Sequence, residues 1–323
     1  MTILRTHSKR RVSMPLLALL AAMAILAWRT VEGTQRSASP TALAAERTMA
    51  RALIVARQER QAHGLMPGRD IDPNQTGLIG AEWSPIVTTL GDLPAKRTAA
   101  NPQLAAAIVD ALAPLRLAPG ERAVVVLSGS LIGANLAARV ALEAMGIEVV
   151  AVASLAASTY GAADPDLTWL DLETAWWRRG ILSSRSRLAV LGGADANGRD
   201  LSPAARQSLR DAARRSEVPL LETSTLAETI GAVRAAIGER PVRLFVNVGG
   251  SVLGLGDCPG AERWRPGLLR RQPACPEGTP GLITAMAAEN VPVLHLLDMR
   301  RLALAWGLPF DPVPLPTVRS GES

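Results

Sequence analysis

An apolar run that ends in a serine- and glycine-rich turn constrains this chain more than any other feature. Ala123 to Leu127 contains small and β-branched apolar residues, which suit a strand buried on both faces. Ser128-Gly129-Ser130 follows at once, and Leu136 to Met145 then has the periodicity of a helix. A strand, a tight turn and a helix in this order are typical of parallel α/β sheets. Such sheets bind their ligands at the carboxyl ends of the strands.

Helical and strand-like segments alternate along most of the chain. The pattern predicts helices at 103–113, 131–145, 203–216, 226–237, 281–289 and 299–306, and strands at 123–127, 147–152, 187–191, 218–222, 242–248 and 291–297. We therefore predict an α/β fold with a mostly parallel, doubly wound sheet and helices on both faces. A further helix is predicted at 41–61, where it either packs on the main domain as a lid or stalk or lies in the plane of a membrane.

The N-terminal segment has the pattern of a membrane anchor. Arg5, Lys9, Arg10 and Arg11 precede an uncharged stretch from Val12 to Trp28. We favour a retained transmembrane signal anchor over a cleaved signal peptide, and the positive-inside rule then places the N-terminus in the cytoplasm. The predicted organisation is a basic tail and transmembrane helix at 1–32, a tether and helix at 33–66, and an extracytoplasmic α/β domain with a proline-rich tail at 67–323.

The charge of the chain argues against a nucleic-acid partner. The sequence contains 35 basic and 29 acidic residues, and residues 1–32 hold five of the basic and one of the acidic ones. The remaining chain has 30 basic and 28 acidic residues, which is too balanced for a dense basic binding surface. The only lysines are Lys9 and Lys96. We attribute this bias to GC-rich coding or to bidentate arginine contacts and give it no functional weight.

The two cysteines predict a disulfide. Cys258 and Cys275 lie in one stretch rich in proline and glycine, and neither has a CxxC partner or a nearby histidine, as a zinc site would require. In an oxidising compartment their pairing closes a loop and stabilises the fold by about 3 kcal/mol.

Four predicted strand ends carry small or neutral polar residues, and together they favour one ligand pocket. Serine, threonine and asparagine supply neutral hydrogen bonds, while glycine lets a ligand approach the backbone. One of these ends is Gly192-Gly193 with Asp195. The candidate ligand-binding residues at the other three are Ser128, Gly129, Ser130, Asn135, Ser158, Thr159, Asn247, Gly249, Gly250 and Ser251.

The residues alone leave open whether the chain is an enzyme. The sequence has no GxGxxG or GxxxxGK(S/T) nucleotide motif and no HExxH metal motif, so no cofactor is assigned. Ser128 or Ser130 could act as a nucleophile with His295 as base, although a packed structural histidine is the favoured interpretation of His295.

A cluster of carboxylates follows the second strand end. Asp164, Asp166 and Asp171 lie within eight residues of one another. They could bind a cation or act as acid and base. Equally, Asp166, Thr168 or Asp171 could cap the helix that contains Trp176 and Trp177. We assign no metal site to this cluster.

Residues 70 to 316 resemble the poly-γ-glutamate system protein family. The segments that carry the resemblance are DPNQTGLIG at 72–80, SPIVTTLG and AKRTAANP after it, LSGSLIGANLA at 127–137, ASTYGAADPDLTWLD, VNVGGS, and PVLHLLDMRRLALAWGLPFDPVPLP near the end.

The resemblance implies a membrane-anchored, single-span accessory protein that works with other components of poly-γ-glutamate synthesis, export or anchoring. The ATP-dependent ligation in such a system belongs to those other components. An anionic glutamyl polymer is the implied ligand. The alternative function is that of an exported hydrolase or transferase that acts on the γ-glutamyl polymer.

Overall fold

A seven-stranded sheet forms the centre of the protein. The computed structural model describes residues 38–269, 271 and 273–319, and the residues from 39 onward belong to one compact unit. The strands are β1 (Val87–Thr89), β2 (Arg122–Ser128), β3 (Glu148–Ser154), β4 (Ala157–Ser158), β5 (Leu188–Val190), β6 (Leu220–Leu221), β7 (Leu244–Val248), β8 (Gly267–Leu269) and β9 (Val293–Leu296). The α-helices are α1 (Pro40–Ala62), α2 (Leu93–Ala99), α3 (Gln103–Leu112), α4 (Ile132–Ala144), α5 (Trp169–Arg178), α6 (Pro203–Arg215), α7 (Leu226–Ile237), α8 (Val252–Leu255), α9 (Leu282–Ala288) and α10 (Met299–Trp306).

The sheet confirms the prediction of a mostly parallel α/β fold. Its strand order is β6-β5-β3-β2-β7-β9-β8, and every pairing is parallel except that of β8 with β9. From β2 the chain proceeds outward through β3, β5 and β6, and it then returns to the other side of β2 to form β7 and β9. The direction of winding therefore reverses between β2 and β7. Such a reversal opens a crevice at the carboxyl ends of the two strands.

Helices cover the sheet because the strands are apolar on both faces. Val124, Val126 and Phe245 belong to a buried cluster with side chains of α7, α8 and α9. The alternate residues Val125 and Leu127 point to the opposite face, and they too are fully buried. On that side α4 lies against β2, β3 and β7, and α1 and α3 pack on α4. The burial of both faces explains why β2 is a continuous apolar run.

Helix α1 packs on the domain rather than standing apart from it. Ala45, Met49 and Ala52 are fully buried, and the indole N–H of Trp176 in α5 donates to the Ala52 carbonyl at 2.9 Å. The predicted anchor at 1–32, with the start of the tether, lies outside the described residues. No helix of the described residues is both long and apolar enough to cross a bilayer.

Two buried ion pairs hold the helical layer together and tie it to a neighbouring loop. Arg139 of α4 contacts Glu173 of α5 at 2.6 Å, and both side chains are fully buried. Burial raises the pKa of Glu173, while Arg139 acts in the opposite direction. The same carboxylate accepts from the N–H of Ser186 at 2.8 Å. The second pair, Arg60 with Asp164 at 2.7 Å, ties α1 to the loop before α5.

The predicted disulfide is present between Cys258 and Cys275. It links the segment after α8 to the segment after β8, and Cys258 also packs in the cluster beneath α7, α8 and α9. The covalent bond thus fastens a loop-rich stretch to the core of the domain.

Removal of the Glu173 carboxylate should destabilise the fold strongly. In Glu173→Ala the buried Arg139 loses its closest counter-charge, and we expect the free energy of unfolding to fall by about 3–5 kcal/mol. Urea denaturation measures this change. Glu222→Ala is the matched control, because Glu222 pairs with Arg210 at 2.7 Å with both side chains over a third exposed, and its loss should cost under about 1 kcal/mol. Equal losses of unfolding free energy in the two variants would contradict a stabilising role of the buried Arg139–Glu173 pair.

Candidate functional site

A cavity of about 380 Å³ lies at the reversal point of the sheet. Segments that follow β2, β3, β5 and β7 contribute to its wall, together with the loop from β1 to α2 and the start of α2 itself. The polar residues that the structure brings together there are Thr88, Thr89, Asp92, Lys96, Ser128, Ser130, Ser154, Ser158, Asp200 and Ser251. The four strand ends singled out from the sequence therefore meet around one space.

The turn after β2 is held by a buried asparagine. Asn135, in the first turn of α4, accepts from the N–H of Ser128 at 3.2 Å and donates to the Ser128 carbonyl at 2.8 Å. The hydroxyl of Ser128 accepts from the N–H of Ser130 at 3.1 Å. Asn135 thus satisfies the backbone of Ser128, and the Ser128 and Ser130 side chains line the cavity wall.

The ends of β3 and β7 close the cavity from two further sides. The Ser251 hydroxyl donates to the Ser154 hydroxyl at 2.9 Å, which joins the two strand ends directly. Gly249 has φ +79°, and a β-carbon there would lie 2.8 Å from the β-carbon of Ser128. A glycine is required at this position because both the backbone conformation and the approach of β2 exclude a side chain.

Lys96 places a buried ammonium group in the cavity wall. It lies in α2, whose first turn is capped by Asp92, and its residue surface is only 5% exposed. Its Nζ donates to the Ser158 hydroxyl at 2.9 Å and also to the Ser130 carbonyl. Space for this side chain depends on Gly91, where a β-carbon would lie 2.5 Å from Lys96 Cε and 2.9 Å from Ser158 Oγ.

Burial lowers the pKa of Lys96 to about 7, although the nearby Asp92 carboxylate acts to raise it. Near neutral pH the amine therefore exists in both charged and neutral forms. A lysine can change charge in this way, whereas an arginine stays protonated. The position can thus supply either a cation or a base.

The C-terminal tail holds α2 in place. Arg97 donates to both carboxylate oxygens of Asp311 at 2.6 Å, and the N–H of Asp311 donates to the Thr98 hydroxyl at 2.8 Å. These contacts fix the two residues that follow Lys96 in the helix. The orientation of the lysine is thus coupled to a segment more than 200 positions away.

The ten predicted ligand-binding residues divide into two groups. Those that line the cavity are Ser128, Ser130, Ser158, Gly249, Gly250 and Ser251. The other four support the wall. Asn135 holds the turn, Gly129 makes backbone hydrogen bonds behind the wall, and Asn247 makes a side-chain hydrogen bond there. The Thr159 hydroxyl accepts from the N–H of Gly91 at 2.7 Å. Asn135 and Asn247 are fully buried, so their amide groups serve the fold.

His295 occupies a buried position behind the site. Its Nδ1 lies 3.2 Å from the amide nitrogen of Asn247, and the residue is fully buried. Burial lowers the pKa of His295 to about 4. Among the described residues, no hydrogen bond joins it to Ser128 or Ser130, and it does not line the cavity. The pairing of either serine with His295 as base is therefore not formed, because the imidazole is directed toward the amide of Asn247.

The three clustered aspartates also lie away from the cavity lining. Asp164 pairs with Arg60, and Asp171 accepts from the N–H and hydroxyl of Thr168 at 2.7 Å and binds Arg215. Asp171 therefore helps to cap α5, as one of the two interpretations of this stretch expected. The Asp166 carboxylate is one of the groups that raise the pKa of Arg215. Within the described ranges, no group of three or more His, Cys, Asp or Glu side chains could hold a metal ion.

Lys96 is the principal site residue that sequence reasoning missed. The signal was its rarity: apart from Lys9, every basic residue of the chain is an arginine. From the sequence alone, that bias is explained by GC-rich coding or by bidentate arginine contacts and receives no functional weight. In a chain that otherwise uses arginine, a single lysine in the domain marks a position where an amine that changes its charge is useful.

Acid should destabilise the protein partly through His295. The unfolded imidazole has a pKa of about 6.5 and the folded one a pKa of about 4, so the unfolded state binds the proton first and stability falls as the pH drops between these values. From pH 7.5 to pH 5 this residue should contribute a loss of about 2 kcal/mol. We expect His295→Gln to lack that component in urea denaturation. Identical dependences of the unfolding free energy on pH for the wild type and His295→Gln would contradict this prediction.

The lining of the cavity combines hydroxyl groups, an amine and two carboxylates. Such a set is able to bind an anion or to activate a hydroxyl group. In comparisons with known proteins, no family model, curated protein or solved structure matches this chain.

Proposed function

We propose that this protein is an accessory component of poly-γ-glutamate synthesis, export or anchoring, and that its cavity binds an anionic end of the glutamyl polymer. The observation that carries the proposal is the convergence of Lys96 with serine hydroxyls from three strand ends around one space. The resemblance of residues 70 to 316 to the poly-γ-glutamate system proteins supplies the polymer as the ligand.

The chemistry of the lining suits a carboxylate. Lys96 is the one cationic side chain among the described residues that line the cavity. When protonated, it donates charge-assisted hydrogen bonds, and the hydroxyls of Ser128, Ser130 and Ser154 add neutral donors around it. Asp92 and Asp200, which also line the cavity, repel a second carboxylate. The lining therefore favours one terminal group over a polyanion bound along its length.

The proposed location follows from the N-terminal pattern. A single span at 1–32 would leave the domain outside the cytoplasm, where the polymer emerges. The Cys258–Cys275 disulfide supports an oxidising compartment. In this proposal the protein acts beside the ligating components of the complex, which supply the ATP-dependent chemistry.

Binding should depend on the charge of Lys96. We expect a γ-linked glutamate pentamer to bind the full-length protein, and Lys96→Met to weaken that binding roughly tenfold or more because a charge-assisted hydrogen bond is lost. Raising the pH from 6 to 8 deprotonates the amine and should weaken wild-type binding about tenfold. Isothermal titration calorimetry measures both changes.

Arg214→Met is the matched control for binding, because it removes one positive charge from an exposed side chain of α6. Its affinity should equal that of the wild type. Absence of pentamer binding by the wild type, or equal losses in the two variants, would contradict the proposed site.

In a strain that makes the polymer, deletion of this protein should lower either polymer output or its retention at the cell surface. Re-expression of the wild type should restore it, and Lys96→Met at equal protein level should not. Quantification of released and cell-bound polymer separates the two effects. Unchanged output and retention after deletion would refute the accessory role.

A further inference from the structure

One hydroxyl in the cavity has the geometry of an activated nucleophile. The Nζ of Lys96 lies 2.9 Å from the Oγ of Ser158, and both residues line the cavity although each is only 5% exposed. The remaining contacts fix the pair: Nζ also donates to the Ser130 carbonyl, and the N–H of Ser158 donates to the Ser130 hydroxyl at 3.0 Å. The turn that contains Ser130 thus orients both Lys96 and Ser158.

We propose that Ser158 is a nucleophile and Lys96 its general base, and that this pair cleaves or transfers an acyl group held in an amide bond. A serine hydroxyl is a weak nucleophile until an adjacent base removes its proton. A neutral lysine performs this role in serine–lysine enzymes, which use no histidine. The γ-glutamyl amide as substrate rests on the proposed function, whereas the reactivity of Ser158 does not.

The reaction has two balanced steps. First, Ser158 Oγ attacks the carbonyl carbon of the amide, Lys96 takes the hydroxyl proton, and the C–N bond breaks as Lys96 returns that proton to the leaving amine. The product is a Ser158 ester. Second, water attacks the ester carbon and gives a proton to Lys96, and the proton passes to Ser158 Oγ as the C–O bond breaks. An amine in place of water would complete a transfer instead.

The surroundings of the pair suit this chemistry. Burial lowers the pKa of Lys96 to about 7, so a large fraction of the amine is neutral at physiological pH. Among the residues that the structure describes, the other charged groups that line the cavity are Asp92 from the start of α2 and Asp200 from the segment after β5. The Ser130 hydroxyl, which accepts from Ser158, keeps its own proton to donate to an oxyanion.

The test treats the full-length protein with a fluorophosphonate, which forms a covalent bond to an activated serine with loss of fluoride. Peptide mass spectrometry should locate the modification on Ser158, and Lys96→Met should slow labelling roughly a hundredfold or more. Ser208→Ala, which removes an exposed hydroxyl of α6, is the matched control and should label as the wild type does. No labelling of Ser158, or equal labelling after Lys96→Met, would overturn the assignment.

The substrate is tested with the γ-linked glutamate pentamer. We expect new amino termini to appear, with a turnover rate that rises with pH and then levels off, whereas binding weakens as the pH rises. Ser158→Ala should reduce cleavage roughly a thousandfold. A wild type that binds the pentamer but neither cleaves it nor labels overturns this inference and leaves the proposed function standing. A wild type that labels on Ser158 but does not bind the pentamer supports the pair and contradicts the polymer as its ligand.

A second variant keeps the test independent of folding defects in Ser158→Ala. Ser158→Cys retains a nucleophile that iodoacetamide can alkylate, and the native cysteines are held in their disulfide. A neighbouring Lys96 favours the thiolate, so alkylation should slow roughly tenfold when Lys96→Met is added. An unchanged rate in the double variant would overturn the pairing.

Discussion

Two hydrogen bonds from the buried amide of Asn135 determine where β2 ends and α4 begins. They satisfy both backbone groups of Ser128, so the chain turns without exposing unpaired donors or acceptors. The loop after β3 then attaches to this turn, because the N–H of Ala162 donates to the Gly129 carbonyl at 2.6 Å. Ser130, the next residue, contacts both Lys96 and Ser158. The site therefore depends on one asparagine that does not line the cavity.

The basic residues divide by chemistry. The buried arginines Arg60 and Arg139 pair with Asp164 and Glu173; the first pair holds a helix to a loop and the second holds two helices together. A guanidinium stays charged when buried, so it needs a carboxylate partner. Lys96 is also buried, but among the described residues it has no ion-pair contact of this kind and is held by a hydroxyl and a carbonyl. A structural cation and a functional amine are thus distinguished by their partners, although both appear in the sequence only as positive charges.

The spacing of apolar residues predicted most of the helices and strands, because this spacing is a property of each segment by itself. The helices predicted at 226–237 and 299–306 have those bounds in the structure, and the predicted parallel sheet is present. The pattern missed α2, which spans seven residues with a proline in its first turn, and β8, a three-residue strand that exists through pairing with β9. Elements this short carry too few residues for a period to emerge, and their stability comes from what they pack against.

By itself the sequence determined the order of the longer strands and helices along the chain and the placement of small polar residues at strand ends, since each depends on neighbours along the chain. It also determined the disulfide partners, because the chain has only two cysteines. Only the tertiary structure decided which polar groups reach the cavity. Asn247 and His295 turn inward to each other, while Lys96 and Ser158, 62 positions apart, meet at its wall. The physical reason is that the direction and burial of a side chain depend on packing between distant elements, and sequence periodicity does not specify that packing.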